Sequence, residues 1–269
     1  MSLSEFPIGI FDSGIGGLTV LKELMNLIPD ENMVYLGDTA RVPYGIRSPE
    51  TIIKYSTSNV NFLLKHNVKM IVIGCNTASA VATDIIKKNF DLPIIDVVIP
   101  GAVRAVKSTK NNRIGIIGTR GTINSNAYDR EIKKLLPDAE TFSLACPLFV
   151  SLAEEGLCDE NDEIVYLIAK RYLSYFMDKD IDTLVLGCTH YPLLIKVIQK
   201  AVGESIKLIC SAEETALEVQ RKLLDLNLSN TSNEKSNTSF YLTDLPNSFV
   251  ETGKRFLGQE LKNVNLIDI

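Results

Sequence analysis

Two short stretches of the chain read as copies of one another. One is Met70-Ile71-Val72-Ile73-Gly74-Cys75-Asn76-Thr77 and the other is Leu184-Val185-Leu186-Gly187-Cys188-Thr189-His190. Each is an aliphatic run closed by Gly-Cys and then an amide or hydroxyl residue. Runs this short and this apolar predict strands of a parallel sheet buried on both faces. Residues just past the carboxyl ends of such strands line the crevice of an open α/β sheet. Each Cys is therefore expected at the lip of a sheet, with a helix beginning beside it. Two such lips, one in each half of the chain, could face each other across a cleft.

The rest of the sequence fits around these two points. Residues 7–12 read as a first buried strand, and Ser13-Gly14-Ile15-Gly16-Gly17 turns into a helix over 18–27 that Pro29-Asp30 ends. A strand over 32–38 follows, then a loop over 39–49 that carries Pro43-Tyr44-Gly45. Ser48-Pro49-Glu50 has the chemistry of a helix N-cap and first turn, for a helix to about residue 65. Beyond the first Gly-Cys strand we expect a helix over 78–88 and a strand over 92–98. After Pro100-Gly101 the pattern restarts, with Arg113-Ile114-Gly115-Ile116-Ile117-Gly118-Thr119 resembling the first strand.

A helix over 126–135, a strand over 139–145, a loop or short helix over 146–155 and a helix over 163–176 then lead to the second Gly-Cys strand. The two halves are offset by 106 residues at Gly9 and Gly115 and by 113 at Cys75 and Cys188. Offsets that differ by less than a loop point to a duplicated α/β unit. A strand over 208–210, a helix over 213–226, a polar surface loop over 227–239, a strand over 240–243 and a helix from Ser248 to residue 257 complete the chain. The expected fold is two pseudo-symmetric, doubly wound parallel-sheet α/β domains with the active site in the cleft between them. Residues 1–98 together with a returning segment 211–269 form the first domain, and 99–210 the second.

Composition narrows the class of partner. A net charge of −5 without a run of Lys or Arg argues against nucleic acid. No apolar stretch approaches 18 residues, so no membrane partner is expected, and residues 1–6 are too polar for a secretory signal. Five scattered cysteines fit free thiols in a reducing, cytoplasmic setting. A homodimer is compatible with the sequence, in which no apolar stripe decides the assembly.

Five cysteines give five candidates, and a free Cys is usually a small buried hydrophobe. Cys146, Cys158 and Cys210 keep that reading. Cys75 and Cys188 differ because they share a context at strand ends, where a helix N-terminus would favour the thiolate. Asp12, closing the first strand, and His190, two residues past Cys188, are the candidate proton partners. His66, amid Lys65 and Lys69 on a helix, reads as solvent-facing. A metal is not expected, since no Cys-x-x-Cys or similar pair exists. Gly14-Ile15-Gly16-Gly17-Leu18-Thr19 with Asp38 about 20 residues on is a partial dinucleotide fingerprint, with Thr19 where a Gly or Ala belongs. The same geometry suits a carboxylate. Ser13, Asn76, Thr77, Thr119 and Thr189 all fall at such turns and would suit a small molecule with carboxylate and ammonium groups.

Phe11-Asp12-Ser13-Gly14-Ile15-Gly16-Gly17, Pro43-Tyr44-Gly45, Gly74-Cys75-Asn76-Thr77-Ala78-Ser79 and Gly187-Cys188-Thr189-His190-Tyr191-Pro192, in that order, carry a family resemblance. Over nearly its whole length the chain resembles the glutamate racemases of bacterial cell-wall synthesis, within the aspartate/glutamate racemase superfamily. The resemblance implies a racemase that needs no cofactor and uses two catalytic thiols, Cys75 and Cys188. It implies substrate contacts from Asp12, Ser13, Tyr44, Gly45, Asn76, Thr77, Thr189 and His190, and an auxiliary carboxylate at Glu154. Cys210 stands where many members have Asp, so contacts from Ser211-Ala212-Glu213-Glu214-Thr215 are not carried over.

The expected reaction is interconversion of L- and D-glutamate by proton transfer between two thiols, supplying D-glutamate for peptidoglycan. Its rivals are an aspartate racemase with a shorter pocket and a non-catalytic nucleotide- or anion-binding module.

Overall fold

All five residues of Ile8–Asp12 (β1) are buried, as a parallel strand is when helices cover both faces of its sheet. The computed structural model describes residues 2–232, 234–245 and 249–269. The first half continues through Leu18–Leu27 (α1), Met33–Gly37 (β2), Pro49–Leu64 (α2), Met70–Ile73 (β3), Asn76–Asn89 (α3), Ile94–Asp96 (β4) and Val98–Ser108 (α4). Local chemistry sets several of these starts. Ser48 caps α2 by accepting from the Thr51 N–H at 3.4 Å, with Pro49 in the first helical position.

The second half runs Arg113–Gly118 (β5), Arg120–Asn124 (α5), Ala127–Leu135 (α6), Glu140–Ala145 (β6), Leu148–Glu154 (α7) and Glu163–Leu173 (α8). Asp162 caps α8 by accepting from the N–H groups of Ile164 at 2.8 Å and Val165 at 3.2 Å. Thr183–Gly187 (β7), Ile195–Val202 (α9), Lys207–Cys210 (β8) and Ser211–Asp225 (α10) follow. The chain then adds Thr238–Leu242 (β9), Phe249–Leu257 (α11) and Val264–Leu266 (β10).

The strands form two sheets, ordered β10-β9-β2-β1-β3-β4 and β6-β5-β7-β8, with every pairing parallel. The order β2-β1-β3-β4 thus recurs as β6-β5-β7-β8. In each sheet the strand order reverses between the first strand and the third, at β1/β3 and at β5/β7. That reversal is where an open α/β sheet leaves a crevice beyond its carboxyl ends. The two crevices carry Asp12, Ser13 and Cys75 in one half and Thr119 and Cys188 in the other.

Helices α1, α10 and α11 cover one face of the first sheet with Leu21, Leu24, Val219, Leu223 and Phe256. Helices α2 and α3 cover the other with Val60, Leu63, Ala82 and Ile86. In the second sheet α7, α8 and α9 bury Phe149, Leu173 and Ile198 on one side, and α4 and α6 bury Ala102, Ala105 and Ile132 on the other. Among the described residues no helix is long and apolar enough to cross a membrane.

Several expectations are corrected. Pro100-Gly101 is no break but part of the first turn of α4, where N–H groups lack a helical partner in any case. Asp96 caps that turn by accepting from Val98 and Ile99 at 2.9 Å, so β4 ends there and not at 98. The short helix α5 and the edge strand β10 were not expected. Cys188 is followed by a 3₁₀ turn, Tyr191–Leu194, before α9 begins. His66 is not solvent-facing: its ring is half-buried, 4.9 Å from Phe62 and 4.6 Å from Tyr241. The start of the last helix at Ser248 lies outside the described residues.

Candidate active site

Because β1 and β3 are in register, with Phe11 beside Ile73, the turns that follow them lie side by side. Cys75 stands between β3 and α3 in an extended conformation, and its sulfur accepts from the Ala78 N–H at 3.5 Å. The thiol donates to the Ser13 hydroxyl at 3.4 Å. Asp12 lies behind it, a buried residue only 1% exposed. Its Oδ2 accepts from the Gly14 N–H at 2.8 Å, and its Oδ1 has no partner among the described residues. Burial pushes the Asp12 carboxyl up, against the His190 charge and the N–H groups around it. Burial, and then the Asp12 charge, push the Cys75 thiol up to about 12, although Ser13 and the Ala78 N–H pull it down.

The second corner has the same strand end and different neighbours. The Cys188 sulfur lies 3.7 Å from His190 Nδ1, and His190 Nε2 lies 2.8 Å from Glu154 Oε1. Glu154 ends α7, so the segment after β6 supplies the carboxylate. The Phe256 ring, from α11, meets the imidazole edge-on at 5.2 Å. Burial works against the His190 cation, yet hydrogen bonds to Cys188 and Glu154, and their charges, push it up to about 10. An imidazolium beside a sulfur favours the anionic form of that sulfur.

Glycines bring the halves together. A Cβ on Gly16 would lie 2.3 Å from Thr189 Oγ1 and 2.5 Å from His190 Cε1. The glycine turn after β1 is therefore packed against the Cys188 turn. Thr19 reinforces the contact by donating to Gly16 O and Thr189 O, each at 2.9 Å. On the other side of the cleft a Cβ on Gly45 would lie 3.0 Å from Thr119 Cβ. There Thr77 and Thr119 share a hydrogen bond of 2.8 Å, with Thr122 3.1 Å from Thr119. Asn76 Oδ1 accepts from the Tyr128 hydroxyl at 2.7 Å, again across the halves.

The dinucleotide reading fails on the same geometry. Asp38 is fully buried, accepting from the hydroxyls of Tyr44 and of Thr243 and facing Arg41. Its carboxylate holds Tyr44 in place and is not free for a ribose.

Between the halves lies one cavity of about 310 Å³ that both Cys75 and Cys188 line. Ser13, Tyr44, Gly45, Asn76 and Thr77 complete its first wall, and Thr119, Glu154, Thr189 and His190 its second. Of the residues expected at the site only Asp12 is not on the wall, sitting instead behind Cys75. The cavity also takes Val42, Pro43 and Ile46 from the Tyr44 loop, Arg120 after Thr119, and Pro147, Val150 and Ser151 from the start and middle of α7, none of which the sequence marked singly. The one usable signal was position: each adjoins a turn already implicated.

The family described as Asp/Glu/hydantoin racemase matches residues 17–219. A glutamate racemase from Geobacter metallireducens is 48% identical over 262 residues, 97% of this chain and 96% of its own. The crystal structure of a glutamate racemase from Francisella tularensis in complex with D-glutamate superposes with a TM-score of 0.93 at 42% identity, covering 98% of both chains. A glutamate racemase isoform from Bacillus anthracis superposes with a TM-score of 0.93 at 38% identity, over 99% of this chain and 98% of the other.

Proposed function

The chain belongs to the Asp/Glu/hydantoin racemase family, and from that premise we propose that it interconverts L- and D-glutamate by moving protons between two thiols. The observation that carries the proposal is the shared cavity: two cysteines at equivalent strand ends line it, each with its own polar support.

Racemisation removes the α-proton from one face of the substrate and returns a proton to the other. A single base would tend to restore the original hand, whereas a thiolate on one face and a thiol on the other invert it. In one turnover the Cα–H bond breaks to the thiolate and the opposite S–H bond breaks to Cα. The sulfurs end with exchanged protonation states, ready for the reverse direction. Burial suits Cys75 to be the resting thiol, and the protonated His190 places a positive charge 3.7 Å from the Cys188 sulfur. The resemblance to glutamate racemases implies that Cys188 takes the proton from L-glutamate and Cys75 from D-glutamate.

Asp12 acts through Cys75 and Glu154 through His190, each as a positioning group. Ser13, Asn76, Thr77, Thr119 and Thr189, with the Tyr44 and Gly45 turn, hold the two carboxylates and the ammonium. Hydrogen bonds to the α-carboxylate strengthen as charge moves onto it, and a cavity closed between the halves excludes water. The closing bodies are 1–98 with 211–269, and 99–210. Action in the cytoplasm, with the product passed to peptidoglycan assembly, fits this activity.

The test is direct. Purified protein is incubated with L-glutamate or L-aspartate, with no cofactor added, and the optical hand is followed. Racemisation of glutamate far faster than aspartate is the expected result. Absence of glutamate turnover would overturn the reading, and faster aspartate turnover would transfer it to the shorter substrate.

A further inference from the structure

A chain of net charge −5 repels an anionic substrate at long range, and a local cation at the site entrance can reverse that field. Glu154 and His190 on the cavity wall engage each other at 2.8 Å. Arg120, the first residue of α5, also lines the cavity and is exposed, which places it at the mouth. Arg41, Arg104, Arg113 and Arg221 each hold a carboxylate. Arg120 holds none among the described residues. Its guanidinium is thus a charge on the cavity wall without a protein counter-charge, in a form that pairs well with carboxylates.

We propose that Arg120 captures the second carboxylate of the incoming substrate at the cavity mouth, and so favours dicarboxylic amino acids over those with neutral side chains. The proposal rests on the glutamate reading of the site. Among the described residues Arg120 makes no side-chain hydrogen bond or ion pair with Cys75, Cys188, Asp12, His190 or Glu154, so its effect is expected on association more than on proton transfer.

The experiment measures steady-state racemisation of glutamate by the wild type, Arg120→Gln, Arg120→Lys and Arg120→Glu across a series of NaCl concentrations. Arg120→Gln is expected to raise KM roughly three- to ten-fold, with kcat changed less than about two-fold. Arg120→Lys restores most of the loss, and Arg120→Glu deepens it. The wild-type kcat/KM falls as salt screens the attraction, more flatly in Arg120→Gln, and with opposite slope in Arg120→Glu. A KM and a salt slope unchanged in Arg120→Gln would overturn the proposal. A second arm titrates glutarate, a dicarboxylate with no stereocentre to invert, into wild type and Arg120→Gln by calorimetry. Weaker binding to the variant supports the proposal, while equal binding, or none to either, contradicts it. Because this arm needs no turnover, it separates a failure of Arg120 from a failure of the racemase reading.

Discussion

Cys75 and Cys188 follow equivalent strands of a repeated topology, yet their surroundings share little beyond that. Cys75 heads the 14-residue helix α3, with Ser13 at its thiol and a buried Asp12 behind. Cys188 leads into a 3₁₀ turn, with His190 at its sulfur and Glu154 behind that ring. A helix N-terminus is worth about 0.3–1 kcal/mol to a nearby negative charge. That is below the roughly 1.4 kcal/mol of one pKa unit, whereas full burial can move a group by several units. At Cys75 burial and Asp12 therefore win over the helix. At the other corner a partner side chain provides the favourable charge. The duplicated scaffold supplies position, and the side chains around each lip set its electrostatics.

L- and D-glutamate have equal free energy in water, so kcat/KM must be the same in both directions however unlike the corners are. The asymmetry can appear only in kcat and KM taken separately and in the behaviour of variants. The largest expected effects come from Cys75→Ser and Cys188→Ser made singly. Each should lower racemisation about 10²–10⁴-fold in both directions, because each direction needs one acid and one base. A variant that keeps the wild-type rate in an optical assay would break the pairing of the two corners.

His190→Asn sharpens the comparison. Loss of the imidazolium should lower kcat about 10–100-fold, and unequally for the two enantiomers, since only the Cys188 corner is disturbed. Glu154→Gln should do the same more weakly, roughly three- to ten-fold, because its carboxylate is 41% exposed and the pair is partly screened. Equal falls in kcat for both enantiomers would mean that His190 serves both thiols.

Gly16→Ala tests the contact that holds the corners at one cavity. The added methyl would meet Thr189 and His190 at under 3 Å. Overpacking of this kind costs about 1–3 kcal/mol, read as a lower denaturation midpoint with a raised KM. A fully stable, fully active variant would show that the glycine turn is not fixed by the second half.

The two corners also differ in how they tie stability to pH. His190 is raised from 6.5 to about 10 in the folded protein, so its contribution is fully present below pH 6.5 and is lost as pH rises through about 10. Cys75 is raised from 9.0 to about 12, so folding holds its proton and stability falls further between those values. Thermal midpoints should decline from pH 7 to 10.5. His190→Asn should remove most of the lower part of that decline, and Cys75→Ser the part above pH 9. A decline unchanged in both variants would contradict the assignment of protons to these groups.

Much of the scaffold was legible because its strands are buried on both faces. Apolar runs such as Met70-Ile71-Val72-Ile73 carry that signal without help from neighbours. Thr119, Asn76 and Thr77 were legible as turn residues at strand ends. Elements that depend on distant contacts were not. Val98–Ser108 hides behind Pro100-Gly101, which reads as a break until Asp96 is seen to cap the turn. Val264–Leu266 is an edge strand whose only partner among the described residues is Thr238–Leu242. The Gly16 turn carries only a partial dinucleotide fingerprint, because a close approach to a distant turn and a close approach to a ligand demand the same residue. The withdrawal of Asp12 behind Cys75 follows from the pairing of β1 with β3 inside one half, and the presence of Arg120 on the wall from packing of α5 against the Tyr44 turn of the other half.

The most direct measurement follows hydrogen at Cα of L-glutamate turned over in deuterated water and stopped after a few per cent conversion. With two sulfurs on opposite faces, the D-glutamate formed carries deuterium at Cα, while the remaining L-glutamate keeps its original hydrogen. If the remaining L-glutamate gains deuterium as fast as D-glutamate appears, one group is serving both faces, and the account of two unlike thiols around a single carbon is wrong.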